Sequence, residues 1–274
     1  MRFDCHLHTP LCGHAYGEPE DFIHAALELD IQLLTVTCHI PLSDPEYGAR
    51  GIRMKLSEVD AYFAWIEEAR KLGEPYGIEV LRGIEAEVAP DPSIDAEMDA
   101  FLKAHSFDFV LGSLHHQLPV WQDWFEANGK LTDEAIVQAY FSELARGACS
   151  GRYHSMAHPD VIRLYGTLSR RFKPEDHKEA IQVALDQIAE SGVCLEVNTS
   201  GRIKGDFIAH PDPLILDWAV ERGIPLTMGS DSHAPNMIGQ YFDESLDLLK
   251  QKGFKAVHYF KAGKRLAVDI DSLV

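Results

Sequence analysis

Phe3-Asp4-Cys5-His6-Leu7-His8-Thr9 places two histidines one residue apart near the start of the chain. In an extended strand alternate side chains share a face, so His6 and His8 aim at one point. A second pair repeats the device far downstream, Asp231 and His233 in Gly229-Ser230-Asp231-Ser232-His233. Imidazoles and carboxylates on converging strand ends are the donor set of a catalytic divalent-metal site. Parallel strands of an α/β protein bring such ends together, and the rest of the chain is consistent with that architecture.

Apolar runs alternate with amphipathic stretches, the pattern of repeated β–α units. Strands are predicted over residues 2–5, 33–38, 78–88, 109–113, 153–157, 193–197, 225–228 and 256–259. Helices are predicted over 19–29, 57–72, 93–104, 133–146, 174–191, 212–222 and 244–252. Ser57 with Asp60 three residues on suggests a capping-box start, and Gly192 and Gly223 suggest left-handed helix stops. Residues 39–54 and 116–130 read as long loops after strands that end in histidine. In a parallel barrel such loops wall the active site.

The 274 residues suit a single domain, 1–274, built as one α/β barrel. No run of apolar residues is long enough to predict a membrane span. The start Met1-Arg2-Phe3-Asp4 leaves no room for a signal peptide. Five cysteines without a close Cys-x-x-Cys pair argue against a disulfide framework and for a reducing cytoplasm. A formal charge of −18 argues against a nucleic-acid partner, since phosphate backbones are bound by surplus Lys and Arg. The same charge would repel a phosphorylated substrate unless a local positive centre attracted it, and bound metals would be such a centre. A monomer is the default expectation.

Potential ligands recur at predicted strand ends: His6 and His8, His39, Glu85 in Gly83-Ile84-Glu85-Ala86-Glu87, His115 in Gly112-Ser113-Leu114-His115-His116, His158 in Ala157-His158-Pro159, and Asp231 with His233. His14 joins from the loop after the first strand. Spacing says only that these groups can converge. Glu87 could orient an imidazole or sit at an exposed strand end. Cys5 and Cys38 alternate with the histidines and read as core or supporting residues. His116 reads as cleft wall or solvated, and His24, His105, His154, His177, His210 and His258 as ordinary surface or capping histidines. The stripe Tyr62, Phe63 and Trp65 reads as helix packing.

These motifs, together with Leu11-Cys12-Gly13-His14-Ala15, Ala157-His158-Pro159-Asp160 and Leu195-Glu196-Val197-Asn198-Thr199-Ser200-Gly201, resemble the polymerase-and-histidinol-phosphatase (PHP) superfamily, and within it the histidinol-phosphatase-like branch. The resemblance runs nearly end to end. It implies a distorted (β/α)7 barrel, TIM-like, with the metal site at the C-terminal ends of the strands. It further implies up to three divalent transition-metal ions (Zn, Fe or Mn): one on His6, His8, Glu85 and Asp231, a second shared by Glu85 with His115 and His158, a third on His14, His39 and His233. Many members of that family carry Asp where this chain has Cys38.

The implied activity is metal-dependent hydrolysis of a small phosphorylated metabolite, foremost L-histidinol phosphate in histidine biosynthesis. Divalent metals lower the pKa of bound water from ~16 to about 7, so a bridging hydroxide could attack phosphorus. Glu85, Asp231 and His233 would act catalytically through it. The metals would stabilise charge developing on the phosphoryl oxygens. Arg163, Arg202 and Lys204 are candidate phosphate contacts at strand-end loops. Alternatives are a nucleotide or phosphopeptide as substrate, or a metal-binding module without turnover. An amidohydrolase also uses His-x-His on its first strand, but that family usually adds a lysine on the fourth strand and lacks the Ser-His after its late Asp.

Overall fold

The computed structural model describes residues 1–48, 51–204 and 208–273, so residues 49 and 50 of the expected 39–54 loop lie outside the described residues. The first half runs β1 (Arg2–Leu7), α1 (Pro19–Glu28), β2 (Ile31–Val36), α2 (Pro45–Gly48), α3 (Val59–Gly73), β3 (Glu79–Glu87), α4 (Pro92–Ala104), β4 (Phe109–Ser113), α5 (Pro119–Ala127) and α6 (Asp133–Ala148). The second half runs β5 (Ser155–Met156), α7 (Lys178–Ser191), β6 (Cys194–Asn198), α8 (Gly201–Lys204), α9 (Pro213–Glu221), β7 (Leu226–Gly229), α10 (Phe242–Gln251), β8 (Ala256–Lys261) and β9 (Lys264–Asp269).

The strands form one sheet in sequence order, β1 to β9. Pairings from β1 through β8 are parallel, and β9 returns antiparallel on β8. As paired among the described residues, this nine-stranded sheet is open, where a distorted seven-stranded barrel was expected. The reason is visible at β7, which carries the β8–β9 hairpin on its outer side. Beyond the end of β7 the chain touches β1 through a parallel bridge between Leu7 and Ser232. There His8 N–H donates to the Ser232 carbonyl (2.8 Å) and Ser232 N–H donates to the His6 carbonyl (3.2 Å).

Strands β1 to β7 are buried on nearly every residue, as parallel strands covered on both faces must be. Helices cover the sheet with one apolar face each. In α3, Tyr62 and Ile66 are buried, and the Tyr62 hydroxyl reaches the Val36 (2.9 Å) and Gly83 (2.7 Å) carbonyls. The aromatic stripe of that helix is therefore packing, with Trp65 against Phe22 and Phe63 beneath Arg82.

Several local expectations change. The 116–130 stretch contains α5, started by Pro119 and held by buried Trp121 and Phe125 four residues apart. Helix α3 begins at Val59 without a side-chain cap, and the Glu58 carboxylate instead closes the 3-10 turn just before it by accepting the Lys55 N–H at 2.8 Å. Gly192 and Gly223 do adopt left-handed conformations after α7 and α9.

Candidate metal centre

Every predicted ligand except His14, which lies in the loop after β1, sits at or just past the C-terminal end of a strand, on the loop side of the sheet. His6 belongs to β1 and His8 follows it, His39 follows β2, and Glu85 and Glu87 lie in β3. His115 follows β4, His158 follows β5, and Asp231 and His233 follow β7. His158 and Asp231 take left-handed backbone conformations, with φ of 27° and 52°. Such strain in residues with a β-carbon persists where surrounding structure holds a functional group in place. Gly229 is required for a different reason: a β-carbon there would run into His6 and stand 2.5 Å from Glu196 Oε1.

Glu85 is the centre of the arrangement. Its Oε2 lies 2.7 Å from His39 Nδ1, 3.5 Å from His8 Nε2 and 3.6 Å from His6 Nε2. Its Oε1 lies 3.2 Å from His158 Nε2 and 3.5 Å from His115 Nε2, and accepts the Ser113 hydroxyl. Asp231 Oδ1 stands 3.3 Å from His8 Nε2 and 3.7 Å from His6 Nε2. The rings of His14 and His233 meet at the mouth, Nε2 to Nε2 at 2.8 Å. The structure thus brings together all nine predicted ligands.

The subdivision is less clean than the resemblance implied. Donor atoms close enough to share one ion include His6, His8 and Asp231, and also His39, Glu85 and His115. His39 and His233 group again with His8, and Cys12 groups with His14 and His233. His39 therefore stands between clusters rather than only with His14 and His233. A further group joins His8 to the buried thiols of Cys12 and Cys38.

The donor set fits divalent metal. Nitrogen and carboxylate oxygen converge at short range, and buried Glu85 Oε2 and His39 Nδ1, 2.7 Å apart, form no hydrogen bond with each other or with any other group. Buried polar atoms are otherwise nearly always paired, so orphaned ligand atoms are what a metal would satisfy. Electrostatics without metal point the same way. Burial opposes ionisation of Glu85, yet His39 and His6 hold it well below the usual carboxylate range. Burial likewise opposes charge on Asp231, but Lys204 and His6 keep it low.

Supporting residues were only partly foreseen. Glu87 orients an imidazole: it sits 2.8 Å from His115 Nδ1, accepts the His115 N–H at 3.0 Å, and pairs with Arg53. Glu196 was missed as a functional residue. Its Oε1 lies 2.7 Å from His6 Nδ1, and its Oε2 accepts from His158 N–H and Asn198 Nδ2, both at 2.9 Å. The signal was an acid between apolar residues in a buried strand. Carboxylates behind metal-binding histidines set tautomer and orientation, and losing one typically costs about 10–100-fold in metal affinity. We expect Glu196→Gln to weaken metal binding by about that factor. Titration of stripped protein with Zn or Mn would check this, and unchanged affinity would make Glu196 a mere core residue.

The three cationic candidates separate. Lys204 Nζ lies 2.6 Å from Asp231 Oδ2 and lines the cavity. Desolvation works against its charge, but Asp231 outweighs it and raises the ammonium pKa. Arg163 is corrected: its Nη2 donates to the Ile208 (2.7 Å) and Ala209 (3.0 Å) carbonyls, and its Nε lies 3.5 Å from Asp160. A loop needing its carbonyls satisfied has claimed the guanidinium. Arg202 lies with its guanidinium over the Tyr241 ring at 4.7 Å and is not among the residues lining the cavity. His116 is buried against Tyr140, with burial pushing it down to about 4.

His210 also departs from the surface or capping role expected of it. It is buried, its Nδ1 is held by Asp160, and it lines the same cavity as the ligand cluster. That cavity, of about 370 Å³, has metal-ligand candidates at its floor and Ile52, Leu118, Val161, Tyr165 and Met237 along its walls. Its size is that of a small-metabolite site.

Comparison with known proteins follows this geometry. A "Probable histidinol-phosphatase" of Deinococcus radiodurans is 32% identical over 261 residues, covering 93% of this chain and 95% of the relative. The "Histidinol-phosphatase" of Bacillus subtilis is 25% identical over 89% of this chain and 98% of its own length. Among solved structures, histidinol phosphate phosphatase from Lactococcus lactis, complexed with Zn, L-histidinol and phosphate, superposes with a TM-score of 0.79. That pair is 20% identical, with 97% of this chain and 98% of the other covered, so it speaks for the fold alone. The PHP domain profile matches residues 4–200, and with these relatives it establishes that the chain belongs to the PHP domain family.

Proposed function

We propose that this protein is a metal-dependent phosphomonoesterase that hydrolyses L-histidinol phosphate to L-histidinol and phosphate. The observation that carries the reading is Glu85, one buried carboxylate ringed by imidazoles from several strand ends at the floor of a metabolite-sized cavity. The names of the Deinococcus and Bacillus relatives, and the histidinol and phosphate in the Lactococcus enzyme, support the choice of substrate.

His6, His8, His14, His39, Glu85, His115, His158, Asp231 and His233 would hold up to three divalent ions, with Zn, Fe and Mn all suited to this donor set. Bound there, such ions supply positive charge for a phosphate dianion and acidify water for nucleophilic attack. The chain's own part is positional. Glu196 and Glu87 fix the rings of His6 and His115 so that their far nitrogens face Glu85. Lys204, beside Asp231, adds a cation that reaches the cavity and can contact a phosphoryl oxygen. The partly apolar walls leave room for a small leaving group.

We further propose that 1–274 acts as one domain whose strands β1 to β7 wrap as a distorted barrel. The Leu7–Ser232 bridge would be its seam. Among the described residues no helix is long and apolar enough to cross a membrane. Four buried free thiols suit a reducing compartment such as the cytoplasm.

Phosphate release from a panel tests the substrate. With Mn or Zn supplied, L-histidinol phosphate should exceed a nucleoside monophosphate and phosphotyrosine by about tenfold or more in kcat/KM. Better turnover of either competitor would transfer the assignment to it, and no turnover of any ester would leave a metal-binding module.

A further inference from the structure

The Asp160–His210 pair is a built hydrogen-bonding station that the metal cluster does not use. His210 is fixed at the end of β6 by an antiparallel bridge: its N–H donates to the Asn198 carbonyl and Asn198 N–H donates to its carbonyl, both at 2.8 Å. Its Nδ1 faces Asp160 Oδ1. Asp160 Oδ2 accepts the Asp212 N–H at 2.7 Å, and Arg163 Nε stands 3.5 Å away. Arg163 in turn ties down the Ile208 and Ala209 carbonyls just before His210. A carboxylate held in this way accepts the Nδ1–H of a neutral ring, which leaves the lone pair on Nε2.

That Nε2 is buried, belongs to a side chain 1% exposed, and has no hydrogen-bond partner. The ring lines the cavity and lies near His158, with centroids 6.2 Å apart. Leaving a buried acceptor unpaired is destabilising, which favours a bound partner with a donor to give. A phosphoryl dianion, the prevailing form near neutral pH, has only acceptors to offer a neutral Nε2. The non-phosphate end of the substrate is the part that can carry N–H or O–H. Gln117 Oε1, also unpartnered, lines the same cavity.

We propose that His210 Nε2 is a specificity-determining acceptor that reads an ammonium, ring N–H or hydroxyl donor on the leaving alcohol, so that the site selects phosphate esters of nitrogen-bearing alcohols over plain ones. The proposal rests on the substrate reading above and adds which residue enforces it. Sites that hydrogen-bond a substrate group discriminate strongly against analogues lacking it.

The test compares kcat/KM on L-histidinol phosphate with that on phenyl phosphate, whose leaving group carries no donor once the ester is formed. It uses the metal-loaded enzyme, His210→Leu, which removes the acceptor, and His210→Gln, which keeps an amide oxygen. His210→Leu should lower the histidinol phosphate to phenyl phosphate ratio by about tenfold, mainly through KM, and His210→Gln should recover part of it. Metal content and melting temperature establish that each variant is folded and loaded, and His210→Met replaces the leucine variant if that one does not fold. An unchanged ratio, or equal losses on both esters, would overturn the role of His210 while leaving the substrate assignment standing. Wild-type enzyme that hydrolyses phenyl phosphate but not L-histidinol phosphate would overturn both.

Discussion

Glu85→Gln should reduce kcat/KM for phosphomonoester hydrolysis by about a thousandfold or more, an effect of the size seen when a central electrostatic group is removed. The substitution is nearly isosteric, so packing is kept and charge alone changes. Five imidazoles lie within 3.6 Å of the two Glu85 oxygens. A neutral amide there presents an NH2 group to one side of that ring, and a donor cannot ligate a cation. Metal should be lost along with turnover, so elemental analysis belongs beside the phosphate-release assay. His177→Ala is the control, since His177 stacks on Phe172, lines a different cavity from the ligand cluster, and should leave both readouts unchanged. A Glu85→Gln protein that keeps both metal and near-normal turnover would remove Glu85 from the centre of the site.

The amino-acid sequence displays the ligands because strand geometry has a period of two. His6/His8 and Asp231/His233 are legible as pairs without any knowledge of the fold, Glu85, His115 and His158 stand out by their predicted strand-end positions, and the resemblance supplied their grouping around metals. What stayed hidden depends on side-chain direction and on partners far away in sequence. Glu196 meets His6 across 190 positions, and its one local signal, an acid between apolar residues in a buried strand, does not say which imidazole it serves. Arg163 looked like a phosphate ligand because it follows His158, but the need to satisfy the Ile208 and Ala209 carbonyls turned it away. His210 was passed over because its partner Asp160 is fifty residues distant and its own segment has no strand pattern. Helix α5 was obscured by aromatic residues that resembled a loop's contact surface. Strand β9, almost wholly exposed, lacks the apolar alternation that marks β1 to β7. The openness of the sheet is a matter of pairing at its ends, which no single segment encodes.

Stripping the metal should abolish activity, restore it on adding back Mn or Zn, and expose a pH dependence with a definite sign. In the metal-free protein burial opposes protonation of His6, but Glu196, Glu85 and Asp231 raise its pKa well above the usual imidazole value. His8, against the same desolvation, is raised to about 9 by Asp231 and Cys38. Both groups therefore carry protons near neutrality that the unfolded chain, with imidazoles near ~6.5, would have released. A folded-state pKa above the unfolded one contributes stability that is complete below about pH 6.5 and drains away as pH rises toward the folded value. Burial and His8 hold His233 down to about 3, and burial also lowers His14, so neither titrates in this window. The metal-free protein should accordingly lose stability between pH 6.5 and 9. Metal binding runs the opposite way, because ligands must shed their protons to coordinate, and affinity climbs with pH. A ligand present at a hundred times its Kd adds about 2.7 kcal/mol, and that increment grows as Kd falls. The gap in melting temperature between loaded and chelator-stripped protein should thus widen steadily from pH 6.5 to 9. A gap that stayed constant or narrowed would mean that His6 and His8 are not the groups at which protons and metal compete.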